Sequence, residues 1–364
     1  MPVKILVISN YTDTHTMRPE AEAFIKLKKV GFEITIMTKS GSYYFNKFKE
    51  EGINVIDFQP KKKNDKSEIK IIRDELLKGS YDIMHLFNNK AIVNGIAAAK
   101  KLPVKVVIYR GYTGNVNWWD PTAYTKVLHP RVDKITCLTD SVKNSIAKNL
   151  FFDKSKLITI NKGHDVNWYN DIKVANLQEL GIPKDAFVVV NVANARRMKG
   201  TKYLLKSTYY LPKDANIHFL IVGRGRDTKK HIKIAENSPN KDKIHFLGFR
   251  KDALSIVKAS NVFALSSIKG EAITKSVIEA MCIETTPVIT DISGNVGLVI
   301  NKESGMVVPM KNPKAMADAI LYLYNNQEDC VQYGKNARKH IDKNFNIERT
   351  VKEASEFFNS ISKQ

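Results

Sequence analysis

Two successive series of short apolar runs, each separated by amphipathic stretches, predict an α/β protein of two doubly wound, parallel-sheet, Rossmann-like domains. Three observations lead there. The runs are near-continuously apolar instead of alternating, as KILVIS at Lys4–Ser9 is, the pattern of a strand covered on both faces. Helical periods fall between them, which is the rhythm of βαβ units. After a pause near Asp165 the alternation starts again at Phe187, and 364 residues suffice for two domains with separate cores.

In order, Lys4–Ser9 is a strand, residues 10–16 a polar loop, and Pro19–Lys29 a helix with Ala23, Phe24 and Leu27 on one face and Gly31 beyond its end. Strand Glu33–Thr38 follows, then a polar segment spotted with aromatics (Gly41–Phe48) and strand Val55–Phe58. A basic loop leads to a helix near Glu68–Lys78. Strand Ile83–Phe87, helix Ala91–Lys101, strand Lys105–Tyr109, strand Lys134–Leu138 and helix Ser141–Asn149 continue the pattern. Strand Leu157–Ile160 runs into Asn161–Asp165, the expected interdomain hinge. The second series has strands Val188–Val192, His218–Val222, Ile244–Leu247, Asn261–Leu265, Val288–Thr290 and Met306–Val308, then helix Pro313–Asn325 and a charged helical tail. The expected boundaries are 1–163, 164–340, and a C-terminal helix at 341–364 packing back on the first domain.

Composition excludes several classes. No apolar run approaches bilayer length, and the chain begins at once with a strand. Cys137, Cys282 and Cys330 form no pair or metal-ligand spacing, which fits a reducing cytoplasm. The net charge is +21, from 58 basic and 37 acidic residues spread over both halves. Such a surface attracts anionic membranes, nucleic acid or phosphorylated ligands. No base-stacking aromatics interleaved with arginine, helix-turn-helix or zinc pattern supports nucleic acid as the partner.

The chemistry concentrates in KGEAITKSVIEAMCIETTPVI, from Lys269 to Ile289. Glu271 stands at a strand-to-helix turn and Glu279 about two turns along an amphipathic helix. The helix N-terminus between them offers unbonded N–H groups and partial positive charge, a seat for phosphate. An acid at each end of that seat suits a ligand with hydroxyls flanking a phosphate. After the first strand of the second series, NVANARRMKG (Asn191–Gly200) puts Arg196, Arg197 and Lys199 in a loop at the ligand-facing edge, where cations neutralise a diphosphate. IVGRG (Ile221–Gly225) ends the next strand with glycines that let backbone approach a ligand. As a G-x-G-x-x-G dinucleotide fingerprint it fails at Thr228. Trp118 and Trp119 are candidates for stacking on a sugar or for a packed loop, and His85 and His164 read as structural histidines.

The ordered set NVANARRMKG, IVGRG, HFLGF (His245–Phe249), KGEAITKSVIEAM, TPVIT and SGMVVP (Ser304–Pro309) resembles the C-terminal half of a retaining glycosyltransferase of the GT-B fold, in the large family four group. The resemblance covers nearly all of residues 185–325. In the first half it extends only to the βαβ rhythm, to HPRVDKITCLTDSV (His129–Val142) and to Gly163–Asp165. It implies two Rossmann-like domains facing a central cleft, the first binding acceptor and the second the nucleotide-sugar donor. It also implies that Glu271 contacts the donor sugar and Glu279 the ribose. Arg196 and Lys199 would clamp the diphosphate, Thr274, Lys275, Ser276 and Val277 would cap the phosphates, and Gly223 and Phe249 would line the nucleotide. No metal or other cofactor is expected.

Departures from the family pattern bear on the acceptor side. The loop after the first strand lacks the usual glycine pair, so His15 or Arg18 would take over part of its work. Arg110 occupies the approximate place of a family histidine; it cannot act as a base but can bind an acceptor phosphate or carboxylate. SGNVG (Ser293–Gly297) lacks the family's acid, and the stretch from Glu279 to Pro287 is one residue longer than the common pattern. The expected activity is retaining sugar transfer to a glycan or lipid-linked acceptor in cell-surface polysaccharide or lipopolysaccharide synthesis. The expected place is the inner face of an anionic membrane, held peripherally. The alternatives are a non-catalytic basic protein tethering membrane or nucleic acid, and a nucleotide-sugar epimerase or hydrolase. Oligomeric state is not legible in the sequence.

Overall fold

The computed structural model describes residues 2–151, 153–269, 272–295 and 297–362. It divides into two compact units, Met1–Gly163 with Ile347–Gln364, and His164–Asn346.

The first unit is a seven-stranded parallel sheet in the order β3-β2-β1-β4-β5-β6-β7. Its strands are β1 (Lys4–Ile8), β2 (Glu33–Thr38), β3 (Asn54–Asp57), β4 (Ile83–Leu86), β5 (Lys105–Arg110), β6 (Lys134–Cys137) and β7 (Leu157–Thr159). The apolar runs are buried as their pattern requires: Ile5 through Ile8 are inaccessible to solvent. Helices α1 (Thr14–Lys29), α2 (Tyr43–Glu50), α3 (Lys66–Gly79), α4 (Asn89–Ala98) and α5 (Asp140–Ala147) form the crossovers. Side-chain caps set their starts: Asp13 accepts from the Thr16 amide (3.0 Å) and Asn88 from those of Lys90 and Ala91 (3.2 and 3.0 Å).

Those caps account for three differences from the sequence reading. The first helix starts at Thr14, not at Pro19, because Asp13 caps it and Pro19 is carried inside. The fourth runs from Asn89 to Ala98, two residues earlier than its apolar period indicates. Gly41–Phe48 is not irregular: Ser42 caps α2 by accepting from the Phe45 amide (3.2 Å), and Tyr44 and Phe48 are buried against Tyr11.

The second unit is a six-stranded parallel sheet, β10-β9-β8-β11-β12-β13. Its strands are β8 (Phe187–Val192), β9 (Ile217–Val222), β10 (Ile244–Gly248), β11 (Val262–Leu265), β12 (Thr286–Thr290) and β13 (Met306–Val308). Helices α6 (Thr201–Ser207), α7 (Lys229–Glu236), α8 (Ala253–Lys258), α9 (Lys275–Cys282), α10 (Pro313–Asn325) and α11 (Gln327–Asn344) surround it. Two apolar clusters line its faces, one under α9 and α11 and one under α6 and α10.

The last helix, α12 (Ile347–Ser362), belongs to the first unit, where its Phe358 packs on Phe32 and His85. The segment expected to form this helix from residue 341 instead completes α11 up to Asn344, so the chain changes units only after Asn346. Thr350 of α12 ties down the end of the first pass: its hydroxyl accepts from the Gly163 amide and donates to the Asn161 carbonyl, both at 2.8 Å. Among the described residues no helix is long and apolar enough to cross a membrane.

Candidate functional site

In the second sheet, strand order reverses between β8 and β11, and ligands of open α/β sheets bind at such a switch point, outside the strand C-termini. The cationic segment lies there, shortly after β8: Arg196 leads into a tight 3-10 turn, Arg197–Lys199. It is fastened to the segment leaving β11. Ser266 Oγ donates to the Lys199 carbonyl (3.0 Å), and the Ile268 amide donates to the Met198 carbonyl (2.8 Å). Gly200 permits this approach: it takes φ +65°, and a Cβ there would stand 1.9 Å from the Ser266 carbonyl oxygen. Arg196 and Arg197 are exposed and Lys199 half-buried, so the turn carries its cations at the surface of the switch point.

Helix α9 follows β11. Thr274 takes its N-cap position, but its hydroxyl donates to Asn295 Oδ1 (3.3 Å) instead of accepting a helix amide. The amide end of α9 is therefore not closed by its own cap residue, which keeps it available to an anion. Val277 is wholly buried in the core and Ser276 half-buried. Glu279 lies one turn after Lys275 and pairs with its ammonium group; both side chains are largely buried. Glu271 lies outside the described residues.

The neighbouring strand end, after β9, is built around Gly223. At φ +135° its Cβ would stand 1.9 Å from the Ala193 carbonyl oxygen, while its amide donates to the Gly248 carbonyl (2.7 Å). The close approach that demands glycine here is thus between backbone segments, joining the ends of β8, β9 and β10. Phe249, next after β10, is exposed with the Arg224 guanidinium 5.5 Å from its ring centroid, an aromatic face open for stacking.

Sequence reasoning missed Arg226. Its side chain is 1% exposed, and it donates to the Asn191 side chain and to the Asn194 carbonyl (3.2 Å), holding the segment that precedes the cationic turn. Asn191 in turn donates to the Ala264 carbonyl of β11 (2.6 Å). No carboxylate pairs with Arg226 among the described residues, Nε has no partner, and burial pulls its pKa down to about 10. It remains a cation at neutral pH, set at the ends of β8, β9 and β11.

The three acceptor-side candidates fall in the first unit. His15 is exposed and Arg18 half-buried, one turn apart on α1. Arg110 closes β5, buried, and its guanidinium is committed to its own loop. It donates to the carbonyls of Tyr112 (3.1 Å) and Gly114 and stacks 3.6 Å above the Tyr112 ring. That geometry makes Arg110 the anchor of the loop after β5. His85 is buried with its pKa lowered to about 3 by desolvation. Thr136 Oγ1 donates to the Ile108 carbonyl (3.3 Å), so the 3.1 Å contact with His85 Nε2 makes that nitrogen the donor of a neutral ring.

Two parallel, doubly wound units, the second with a cationic turn and an open helix N-terminus at its switch point, have the architecture of the GT-B fold. Residues 173–340 match the family model Glycosyl transferases group 1. The match spans just under half of the chain. An uncharacterized glycosyltransferase of Methanocaldococcus jannaschii is 29% identical over 245 residues, 64% of this chain, and the chain spans 60% of that relative's length. An Escherichia coli protein, UDP-Gal:alpha-D-GlcNAc-diphosphoundecaprenol alpha-1,3-galactosyltransferase, is 26% identical over 300 residues, 78% of this chain and 76% of its own. The crystal structure of a glycosyltransferase from Rickettsia africae ESF-5 superposes with a TM-score of 0.84 at 19% identity, covering 100% of this chain and 99% of its own.

Proposed function

We propose that the protein transfers a sugar from a nucleotide diphosphate donor to a glycan or lipid-linked acceptor, with retention at the anomeric carbon. The observation that carries this reading is the fastening of the Arg196–Lys199 turn to Ser266–Ile268 at the second sheet's switch point. It sets fixed cations on the strands that lead to α9, where a departing diphosphate needs them. Bond cleavage leaves negative charge on the leaving group, and preorganised donors stabilise it without reorganising. Arg196, Lys199 and the amides from Thr274 to Ser276 supply that stabilisation without a metal ion; the Val277 amide is spent on the Thr274 carbonyl (2.9 Å). Glu271 steadies the oxocarbenium-like sugar, and Glu279, released from Lys275, binds the ribose hydroxyls. Phe249 offers its face to the base.

The E. coli relative, named for a UDP-Gal donor and a diphosphoundecaprenol-linked acceptor, supports the pairing of a nucleotide sugar with a lipid-linked glycan. On this reading the protein works in cell-surface polysaccharide or lipopolysaccharide synthesis, held peripherally on the cytoplasmic face of the membrane. The net charge of +21 supplies attraction to anionic lipid. Trp118, Trp119 and Phe151, exposed together on the first unit, supply side chains suited to the interface.

The test is a panel of nucleotide sugars incubated with the protein and glycosyl-diphosphate lipids. Release of nucleoside diphosphate, an α-linked product from an α-linked donor, indifference to EDTA, and loss of turnover in Glu271→Gln are expected. Inversion at the anomeric carbon, or full turnover in Glu271→Gln, would overturn the mechanism.

A further inference from the structure

The ammonium group of Lys275 sits where helix electrostatics disfavour it. Lys275 is the first residue of α9, and the first turn of that helix carries no acidic residue. The amide end of a helix is its positive end, where a cation is unfavourable and an anion is favoured. Four residues on, Glu279 takes the ammonium as an i,i+4 ion pair, with side-chain exposures of 30% for Lys275 and 15% for Glu279. Lysine before glutamate is the weaker order for such a pair on a helix. Both groups are nevertheless largely withdrawn from water, so solvent screens the pair little and breaking it strands two charges. Among the described residues Lys275 is the one cation paired with Glu279.

A diol and an anion act on this pair in opposite ways. A vicinal diol uses both carboxylate oxygens, one for each hydroxyl, so ribose takes Glu279 fully only after the ammonium has left it. With a nucleoside the ammonium leaves without a new counterion and stays beside the positive helix end. A diphosphate seated on the α9 amides gives the ammonium a counterion one turn from Glu279, at the place where the helix itself favours negative charge.

We propose that Lys275 is an internal competitor for Glu279: it holds the carboxylate against a ribose until a diphosphate draws the ammonium away. The exchange makes ribose and diphosphate binding mutually supportive, so the site selects ligands that carry both and turns away nucleosides. This selectivity rests on the donor site proposed above, in which only the amide of Lys275 takes part and its side chain has no role.

Isothermal titration of the full-length protein with uridine, UMP and UDP, and with the guanosine and adenosine series, compares the parent with Lys275→Leu and Lys275→Gln. Both variants keep the amide and remove the charge; glutamine keeps a polar chain, so a leucine variant that folds poorly leaves the test standing. Removing the ammonium should tighten the nucleoside about threefold and weaken its diphosphate about threefold, so that discrimination between the two falls about tenfold. A lysine that only binds phosphate predicts no gain for the nucleoside, and one that only supports the helix predicts equal losses for all three ligands. Either result would overturn the proposal while leaving the donor site in place. Failure of every diphosphate to bind the parent would remove the donor site itself, and the competition with it.

Discussion

The Arg226 guanidinium donates to the side chain of Asn191, so the turn after β9 holds the last buried residues of β8, a few positions before the cationic turn. A fully buried arginine without a carboxylate is costly and persists where its geometry is used. Replacing it with methionine should lower nucleotide affinity about tenfold by loosening residues 191–194. Lysine should not rescue it, because one ammonium cannot span both acceptors. Isothermal titration of the two variants checks this, and rescue by lysine would show that charge alone matters.

Gly223→Ala should be among the most destabilising single changes in the second unit. The new Cβ would need to occupy space 1.9 Å from the Ala193 oxygen, at φ +135°. A loss of about 3 kcal/mol or more is expected, read as a shift in denaturant midpoint.

His85 makes stability depend on pH. Its native pKa of about 3 lies below the ordinary 6.5, so the unfolded chain binds a proton that the native state refuses as pH falls. The stabilisation is complete above pH 6.5 and is lost progressively down to about pH 3; at about 1.4 kcal/mol per unit, some 2 to 3 kcal/mol is gone by about pH 4.5. Chemical denaturation of His85→Leu against the parent should show a flatter profile over that window. Parallel profiles would place the native pKa near its ordinary value.

Trp118, Trp119 and Phe151 should partition into a lipid interface. Co-sedimentation with vesicles containing anionic lipid should fall about tenfold in Trp118→Ala/Trp119→Ala. Equal binding by the variant would leave attachment to lysine charge alone.

Much of this architecture was legible because parallel strands buried on both faces write continuous apolar runs, and the caps Asp13 and Asn88 refine their helices by only a few residues. The helix at Tyr43–Glu50 escaped because its buried face is aromatic and only two turns long. At the site, Arg196 and Lys199 were legible by their position after a strand. Arg226 was not: three positions beyond Gly223 it reads as one more surface cation, and only packing shows it buried. The reason for Gly223 was also hidden, since its near neighbour is the Ala193 carbonyl, distant in sequence.

The donor site is the centre of this account, and nucleotide binding tests it most directly. Thermal melting of the parent, Lys199→Ala and Glu279→Ala should be followed with UDP, GDP, ADP and dTDP at millimolar concentration. One diphosphate should raise the parent's melting temperature by several degrees through mass action, and neither variant should respond. No shift with any of the four, or equal shifts in all three proteins, would contradict a donor site built on Lys199 and Glu279.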